Sequence, residues 1–308
     1  MELRQLRSLV ALVENGFSVS RTAERLHLVQ SAVSQHLNRL EEEIGALIFI
    51  RQGKRLTGLT EVGEKVVHYA HRTLADTQNI IEVGREYVDH THGVLRVGAT
   101  HTQARYVLPA VIKTFRTDYP GVELQIHQGT PQQLVDMAIK DVVDFSICTE
   151  ALGDHPELTT ISCYRWNRSL IAAPDNPLLK RRYLTLKALC SQPIITYVFG
   201  FTGRGHFSDT FAKAGLTPRV VLSAADTDVI KTYVRERMGV GIIASLAYTP
   251  TQDRDLERRD LSRLFPWEIT KISYQKDKYL RRDQQYFIEL FQTYVSKPNR
   301  QYGLLPVE

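Results

Sequence analysis

Ser31, Ser34, Gln35 and Asn38 recur at i, i+3, i+4 and i+7, directly after Gln30. That spacing places them on one face of an α-helix. Their short or planar side chains carry donors and acceptors, the chemistry that reads base edges in a DNA major groove. A second set is rich in hydroxyls: Thr100, Thr102 and Gln103 after one β-rich run, Thr149 and Glu150 after another, and Thr202 after a third. Neutral hydroxyls and backbone amides at such places hold a small anion reversibly. Chemistry of the covalent kind finds no support. The chain has no G-x-S-x-G, H-E-x-x-H or G-x-x-x-x-G-K-[ST], and no G-x-G-x-x-G after a strand. Gly239 and Gly241 precede a strand, and the histidines are scattered. Both sets therefore point to binding, and an enzyme is not expected.

The polar face needs an apolar one behind it. Val33, Leu37 and Leu40 supply that stripe, within FSVSRTAERLHLVQSAVSQHLNRLEEE from Phe17 to Glu43. The stretch reads as a helix-turn-helix: Ser18 or Ser20 caps the first helix, Ala23 and Leu26 are its apolar pair, and His27-Leu28-Val29 is the turn. Leu3, Leu6, Val10 and Val13 predict a preceding helix ending near Asn15-Gly16, which completes a three-helix core. After Gly45, β-rich pieces at 47–51 and 55–59 flank Gln52-Gly53-Lys54 and predict a hairpin, a wing. Arg51, Lys54 and Arg55 make it basic. They are candidates for phosphate contact, the alternative being a solvated turn.

Total charge does not decide the matter. The 308 residues carry a net +5, with a sequence pI near 9.0. The first 62 residues, however, hold eight Lys and Arg against seven Asp and Glu, so only the clustering in the wing favours DNA. Cys148, Cys163 and Cys190 are odd in number and far apart, which implies neither a disulfide framework nor a zinc site. No cofactor or metal is expected. With no uncharged apolar run of membrane-spanning length and no targeting signal, a cytoplasmic protein without membrane contact is expected.

Thr60 is placed to cap a long helix from Glu61 to about Val88, roughly 40 Å at 1.5 Å per residue. Val66, Ala70, Leu74, Thr77, Ile81, Gly84 and Val88 alternate spacings of three and four. This seam predicts pairing with a second copy; packing on its own domain is the other reading. From Gly93 strands and helices alternate. GVLRVGAT, VELQIHQG, VDFSICTEA, one long strand through LTTISCYRWNRSLIAAP, PIITYV, RVVLSAA and VGIIAS are strands. THTQARYVLPAVIKTFRTDYP, TPQQLVDMAIKD, a stretch from near His206, DTDVIKTYVRERMG and RDQQYFIELFQTYV are helices. The pattern predicts an α/β fold with a mostly parallel sheet, and its length predicts two lobes. The hydroxyl-rich segments then lie at the carboxyl ends of strands, where ligands of such sheets sit. For each Thr taken singly, helix capping is the competing role. Trp166 is either a core aromatic or a lid, and Arg168 either pairs with a carboxylate or decorates a strand.

The whole chain resembles the LysR-type transcriptional regulators. The resemblance rests on the helix-turn-helix followed by RLEEEIG, on LTEVGEKVV opening the linker helix, and on the α/β half that follows. That half is similar to the CysB-type subgroup of sulfur-assimilation regulators, in THTQARYVLP, HQGTPQQ, CYRWNRS, FGFTGR, AGLTPRVV and DTDVIKTYVR. The resemblance implies a winged helix-turn-helix over 1–59, a linker helix over 60–89, and a two-lobed, Rossmann-like, periplasmic-binding-protein-like effector domain over 90–308. Lobe I would take 90–163 and 267–308, and lobe II 164–266. It further implies promoter DNA as partner, a homotetramer built on linker-helix pairs, and a small anionic effector of the acetylserine, sulfate or thiosulfate class. Thr100, Thr102, Gln103, Thr149 and Thr202 match the effector contacts. The recognition helix is more like the family at large than like this subgroup, and the C-terminal tail is shorter. Three readings stay open: control of sulfur assimilation, of sulfonate or other organosulfur use, or of an unrelated carboxylate. A small-molecule-binding or catalytic α/β protein is the rival from another class.

Overall fold

The computed structural model describes residues 1–53, 55–88, 92–149, 155–200, 204–296 and 305–307. It divides into two compact units, Met1–Val88 and Asp89–Glu308. In the first, α1 (Leu3–Glu14), α2 (Val19–Leu26) and α3 (Gln30–Ile44) precede an antiparallel hairpin of β1 (Phe49–Gln52) and β2 (Arg55–Leu59), then α4 (Glu61–Val88). On α3 the apolar stripe is used as expected; on α1 Leu6 and Val10 are buried as expected, but Leu9 and Leu12 join them, while Leu3 of the expected stripe is exposed. Leu6, Leu9, Leu12, Val33, Leu37, Leu40, Ile48 and Phe49 close one core. His27 ends α2 in the left-handed conformation, at φ 54°, which reverses the chain in three residues. The Thr60 hydroxyl accepts from the Gly63 N–H at 3.0 Å and opens α4. Gly63 is needed for close approach: a Cβ there would lie 2.1 Å from the Ile48 carbonyl oxygen.

The predicted seam of α4 is divided by this packing. Val67 and Ala70 are buried in the unit's own core, with Val66 and Leu74 against it. Of the expected positions Ile81, Gly84 and Val88 remain exposed, alongside Val62, Tyr69, Ile80, Val83 and Tyr87. The three-and-four pattern therefore serves the domain in its first half.

The second unit contains two sheets. Its elements are β3 (Gly93–Ala99), α5 (His101–Tyr106), α6 (Leu108–Asp118), β4 (Val122–Gln128), α7 (Pro131–Ile139), β5 (Phe145–Cys148), β6 (Leu158–Trp166) and β7 (Arg168–Ala172). There follow α8 (Leu186–Leu189), β8 (Ile194–Tyr197), α9 (Arg204–Lys213), β9 (Val220–Ala224), α10 (Thr227–Arg235), β10 (Val240–Ala244), β11 (Glu257–Asp260), β12 (Glu268–Gln275), α11 (Arg282–Ser296) and β13 (Leu305–Pro306). The first sheet has the order β13-β6-β12-β5-β3-β4 and the second β11-β7-β10-β8-β9. Each keeps a parallel centre, β5-β3-β4 and β10-β8-β9. The remaining pairings are antiparallel, so the sheets are mixed rather than mostly parallel.

Two expected elements are broken, each for a local reason. The helix foreseen through 101–119 splits at Val107, because Pro109 has no N–H and its ring crowds the carbonyl four residues back. The long strand foreseen through 158–173 is two strands in different sheets. Trp166 pairs with Glu268 in the first, and Arg168 with Ala244 in the second. Asn167 makes the crossing. Its Oδ1 accepts from the Arg168 N–H at 2.7 Å while its Nδ2 donates to the Phe265 and Pro266 carbonyls, on the segment that crosses back.

Candidate functional site

Two sites follow from this framework, one in each unit. On α3 the buried side is Val33, Leu37 and Leu40, and the outer side exposes Gln30, Ser31, Gln35 and Asn38 with Ser34 half-buried. Ser31, Ser34, Gln35 and Asn38 line an open depression of about 650 Å³ together with Ala32, Arg39 and Glu42. The helix begins at Gln30 without a side-chain cap, so its first amides have no partner from a capping residue. His36 Nδ1 lies 2.8 Å from Ser8 Oγ and ties α3 to α1. The candidate base-reading residues therefore share one accessible surface on a helix fixed from behind.

The wing is organised differently from the sequence expectation. Arg51 is paired within the unit: its guanidinium donates to Glu41 Oε2 at 2.7 Å and to Asn38 Oδ1 at 3.5 Å. Glu41, counted from sequence as mere opposing charge, is buried and accepts the Ile48 and Phe49 N–H groups through Oε1, at 2.8 and 3.2 Å. One carboxylate thus clasps the base of the wing to α3, and Arg51 orients Asn38. Arg55 is exposed at the start of β2. Lys54 lies outside the described residues.

In the second unit the sequence-predicted residues converge where strand ends of both sheets meet. Thr100, Thr102 and Gln103 follow β3, and Thr149 follows β5. The Tyr197 phenol at the end of β8 lies 2.7 Å from Thr227 Oγ1 and accepts the Ala244 N–H at 3.1 Å. Burial pushes this phenol up, against the opposing pull of those hydrogen bonds. Tyr164 donates to Gln103 Oε1 at 2.6 Å, and Gln103 Nε2 donates to Thr270 Oγ1 at 3.4 Å. Thr149 Oγ1 lies 3.3 Å from the same Thr270 hydroxyl and accepts from Trp166 Nε1 at 3.1 Å. Such a chain of buried hydrogen bonds holds side chains in fixed positions.

Thr100 stands apart. It is the N-cap residue of α5, only 7% exposed, yet its hydroxyl caps nothing and makes no hydrogen bond within the described residues. Capping accounts for Thr130, Thr185 and Asp226, whose side chains accept from their own first turns. It does not account for Thr100.

Trp166 resolves as a core aromatic, 1% exposed in the first sheet's core, and not as a lid. Its contribution is to hold Thr149 from beneath. Arg168 pairs with a carboxylate, Glu268, at 2.5 Å, both buried; His206 Nδ1 reaches the other oxygen of Glu268 at 2.9 Å. A second link joins the sheets' layers, since Tyr106 on α5 donates to Asp228 on α10 at 2.6 Å. Glu150 and Thr202 lie outside the described residues. Thr270 and Glu268, both central to the network, belong to β12, a strand not foreseen from sequence. Its only signal is the weak alternation in EITKISYQ. Among the described residues no three His, Cys, Asp or Glu side chains are grouped to hold a metal ion, and no helix is long and apolar enough to cross a membrane.

Comparison with known proteins matches both units. Residues 3–64 match the family described as bacterial regulatory helix-turn-helix protein, lysR family, and residues 89–296 match the LysR substrate binding domain. The HTH-type transcriptional regulator SsuR of Burkholderia cenocepacia is 41% identical over 297 residues, covering 96% of each chain. CysB of Haemophilus influenzae is 41% identical over 297 residues, 96% of this chain and 92% of that one. The crystal structure of the cofactor-binding domain of the Cbl transcriptional regulator has 40% identity and a TM-score of 0.63, covering 65% of this chain and 88% of that one. The chain therefore belongs to the LysR family of transcriptional regulators, and its role is regulatory rather than enzymatic.

Proposed function

We propose that this regulator controls sulfur-assimilation genes from the cytoplasm, binding promoter DNA through α3 and a small sulfur-related anion among the strand ends of the second unit. Acetylserine, sulfate and thiosulfate are the candidate effectors. The observation that carries the effector reading is the Thr100 hydroxyl, which no described residue engages, on a side chain only 7% exposed between β3 and α5. A hydroxyl that spends no bond on the protein is free to donate to an anionic ligand. Thr102 is buried beside it, and Gln103 and Thr149 are held by Tyr164, Thr270 and Trp166. Glu150 and Thr202 complete the proposed set. The end-to-end similarity to CysB and SsuR supports the sulfur assignment.

On DNA, Gln30, Ser31, Ser34, Gln35 and Asn38 would meet base edges, and Lys54 and Arg55 the phosphates. Arg51 would act through Asn38 and Glu41. For assembly, the exposed apolar side chains of α4, Val62, Tyr69, Ile80, Val83 and Tyr87, offer a strip for a second copy. A homotetramer built on such dimers is the expected assembly.

Thermal unfolding of the full chain with sulfate, thiosulfate, O-acetylserine or N-acetylserine tests the effector class. A ligand at 100 times its Kd stabilises by about 2.7 kcal/mol, or roughly 5 to 11 °C for a domain of this size. A shift with an unrelated carboxylate and none with these four would reject the assignment.

A further inference from the structure

Positive charge is distributed unexpectedly in this chain. Met1–Val88, which carries the recognition helix, holds 11 Lys and Arg against 11 Asp and Glu, a net of zero. The whole excess of +5 lies in Asp89–Glu308, with 28 against 23. Within that unit it is concentrated: from Asn176 to Ser208 there are five cations, Lys180, Arg181, Arg182, Lys187 and Arg204, and no Asp or Glu.

The centre of this stretch is the exposed loop Lys180-Arg181-Arg182-Tyr183 between β7 and α8. The loop is held in shape. Arg259 on β11, the neighbour of β7, donates from Nη1 to the Leu179 and Arg181 carbonyls at 2.6 and 2.9 Å, and from Nη2 to the Arg182 carbonyl at 3.4 Å. A guanidinium satisfied by carbonyls keeps its full charge, so the support adds a cation beneath the cations it supports. The nearest preceding carboxylate, Asp175, is paired with Arg237 at 2.6 Å and also attracts Lys180, which leaves Arg181 and Arg182 as the cations that the test removes. Arg182 lies over the ring of Tyr183, 5.2 Å from its centroid, and Tyr183 is itself 63% exposed. Solvated surface charge is ordinarily interspersed with the opposite sign. Here like charges are gathered and fixed by a further like charge, an arrangement that favours an anionic partner.

We propose that the Lys180–Tyr183 loop is a second DNA-binding surface, which grips the phosphate backbone outside the segment read by α3. The inference rests on the reading that α3 binds DNA. Phosphate contacts are independent of sequence and release counterions, so they appear in the salt dependence of binding. DNA suits the loop better than an acidic protein surface, since a duplex presents a phosphate charge about every 1.7 Å and needs no matching shape.

The test measures affinity of the full chain against salt concentration, using random-sequence duplexes of about 200 base pairs and of about 15, the latter little more than one helical turn. R181A/R182A is compared with K140A/K276A, which removes the same charge from elsewhere on the unit. On the long duplex, R181A/R182A should lower the slope of log affinity against log salt by about 1.8 per chain, at about 0.9 for each phosphate no longer neutralised. R181K/R182K should restore it, K140A/K276A should leave it unchanged, and all variants should bind the short duplex like the wild type. Equal slopes for R181A/R182A and wild type on the long duplex would overturn the proposal, as would an equal fall in K140A/K276A. So would unchanged DNA slopes accompanied by weaker binding to polyglutamate, which would assign the loop to an acidic protein surface. Failure of the wild type to bind the short duplex, with the slope difference on the long one retained, would instead refute DNA binding by α3.

Discussion

Thr100→Val separates a hydroxyl kept for a ligand from one kept for the fold. Valine matches threonine in shape and removes only the donor and acceptor. In most N-cap positions that loss costs about 0.5 to 2 kcal/mol. Here the hydroxyl caps nothing, so the unfolding free energy should stay within about 0.5 kcal/mol of the wild type. A hydrogen bond to a charged group is worth roughly 1.5 to 3 kcal/mol. Affinity for the anion should therefore fall roughly tenfold to 150-fold. Thr149→Val is the contrasting case. It leaves the buried Trp166 Nε1–H without its acceptor at 3.1 Å and Thr270 without its neighbour. An unsatisfied buried donor costs about 1 to 3 kcal/mol, several degrees of Tm at about 2 to 4 °C per kcal/mol. Calorimetric titration with the anion and thermal unfolding, run on both variants, check the contrast. Thr100→Val binding like the wild type, or unfolding as early as Thr149→Val, would refute the assignment.

Glu41→Ala should destabilise the first unit by about 1 to 3 kcal/mol for each of the Ile48 and Phe49 amides it orphans. Glu41→Gln, which retains one acceptor, should cost less; urea unfolding of the two variants distinguishes them. Gln35→Ala or Asn38→Ala should remove about 1 to 3 kcal/mol of discrimination at particular base pairs, visible as relaxed preference in competition footprints rather than uniform weakening. Asp144 gives a pH prediction. Burial raises its carboxyl, but Lys278 at 2.8 Å, the Arg96 N–H and the Arg96 guanidinium outweigh that and hold it below the usual range. A carboxylate depressed in the folded state stabilises above its unfolded pKa, about 3.9, and that stability is lost as pH falls through the folded value. Melting temperatures recorded from pH 6 to pH 3 should therefore fall below about pH 4, less steeply in Asp144→Asn. A mutant curve of unchanged slope would rule out Asp144 as a source of the acid sensitivity.

Much of the first unit was legible because its signals are local. The i, i+4, i+7 stripe of Val33, Leu37 and Leu40 reports a buried helix face, and Thr60 with the unbroken run after it reports α4. The same alternation misled in Val66, Ala70 and Leu74, because a helix pattern cannot say whether the surface it meets belongs to its own domain. Glu41 was missed for a related reason: nothing in RLEEEIG distinguishes the one carboxylate that turns inward to the wing. In the second unit the hydroxyl-rich strand ends were readable, and their supports were not. Thr270, Tyr164 and Trp166 reach Gln103 and Thr149 through strand pairing between β12, β6 and β5, a long-range relation that leaves only weak alternation in sequence. Asn167 looks like one residue of a continuous strand until its amide is seen tying both crossings together.

In the function proposed for it, this chain couples a sulfur-related anion to promoter choice. The most direct measurement of that coupling is selection of fragments of the host genome by the purified full chain, with and without each of sulfate, thiosulfate, O-acetylserine and N-acetylserine. The expected result is recovery of fragments upstream of genes for sulfate or organosulfur assimilation, with at least one of these compounds changing the affinity or the footprint. Recovery of fragments upstream of unrelated genes, indifferent to all four compounds, would contradict it.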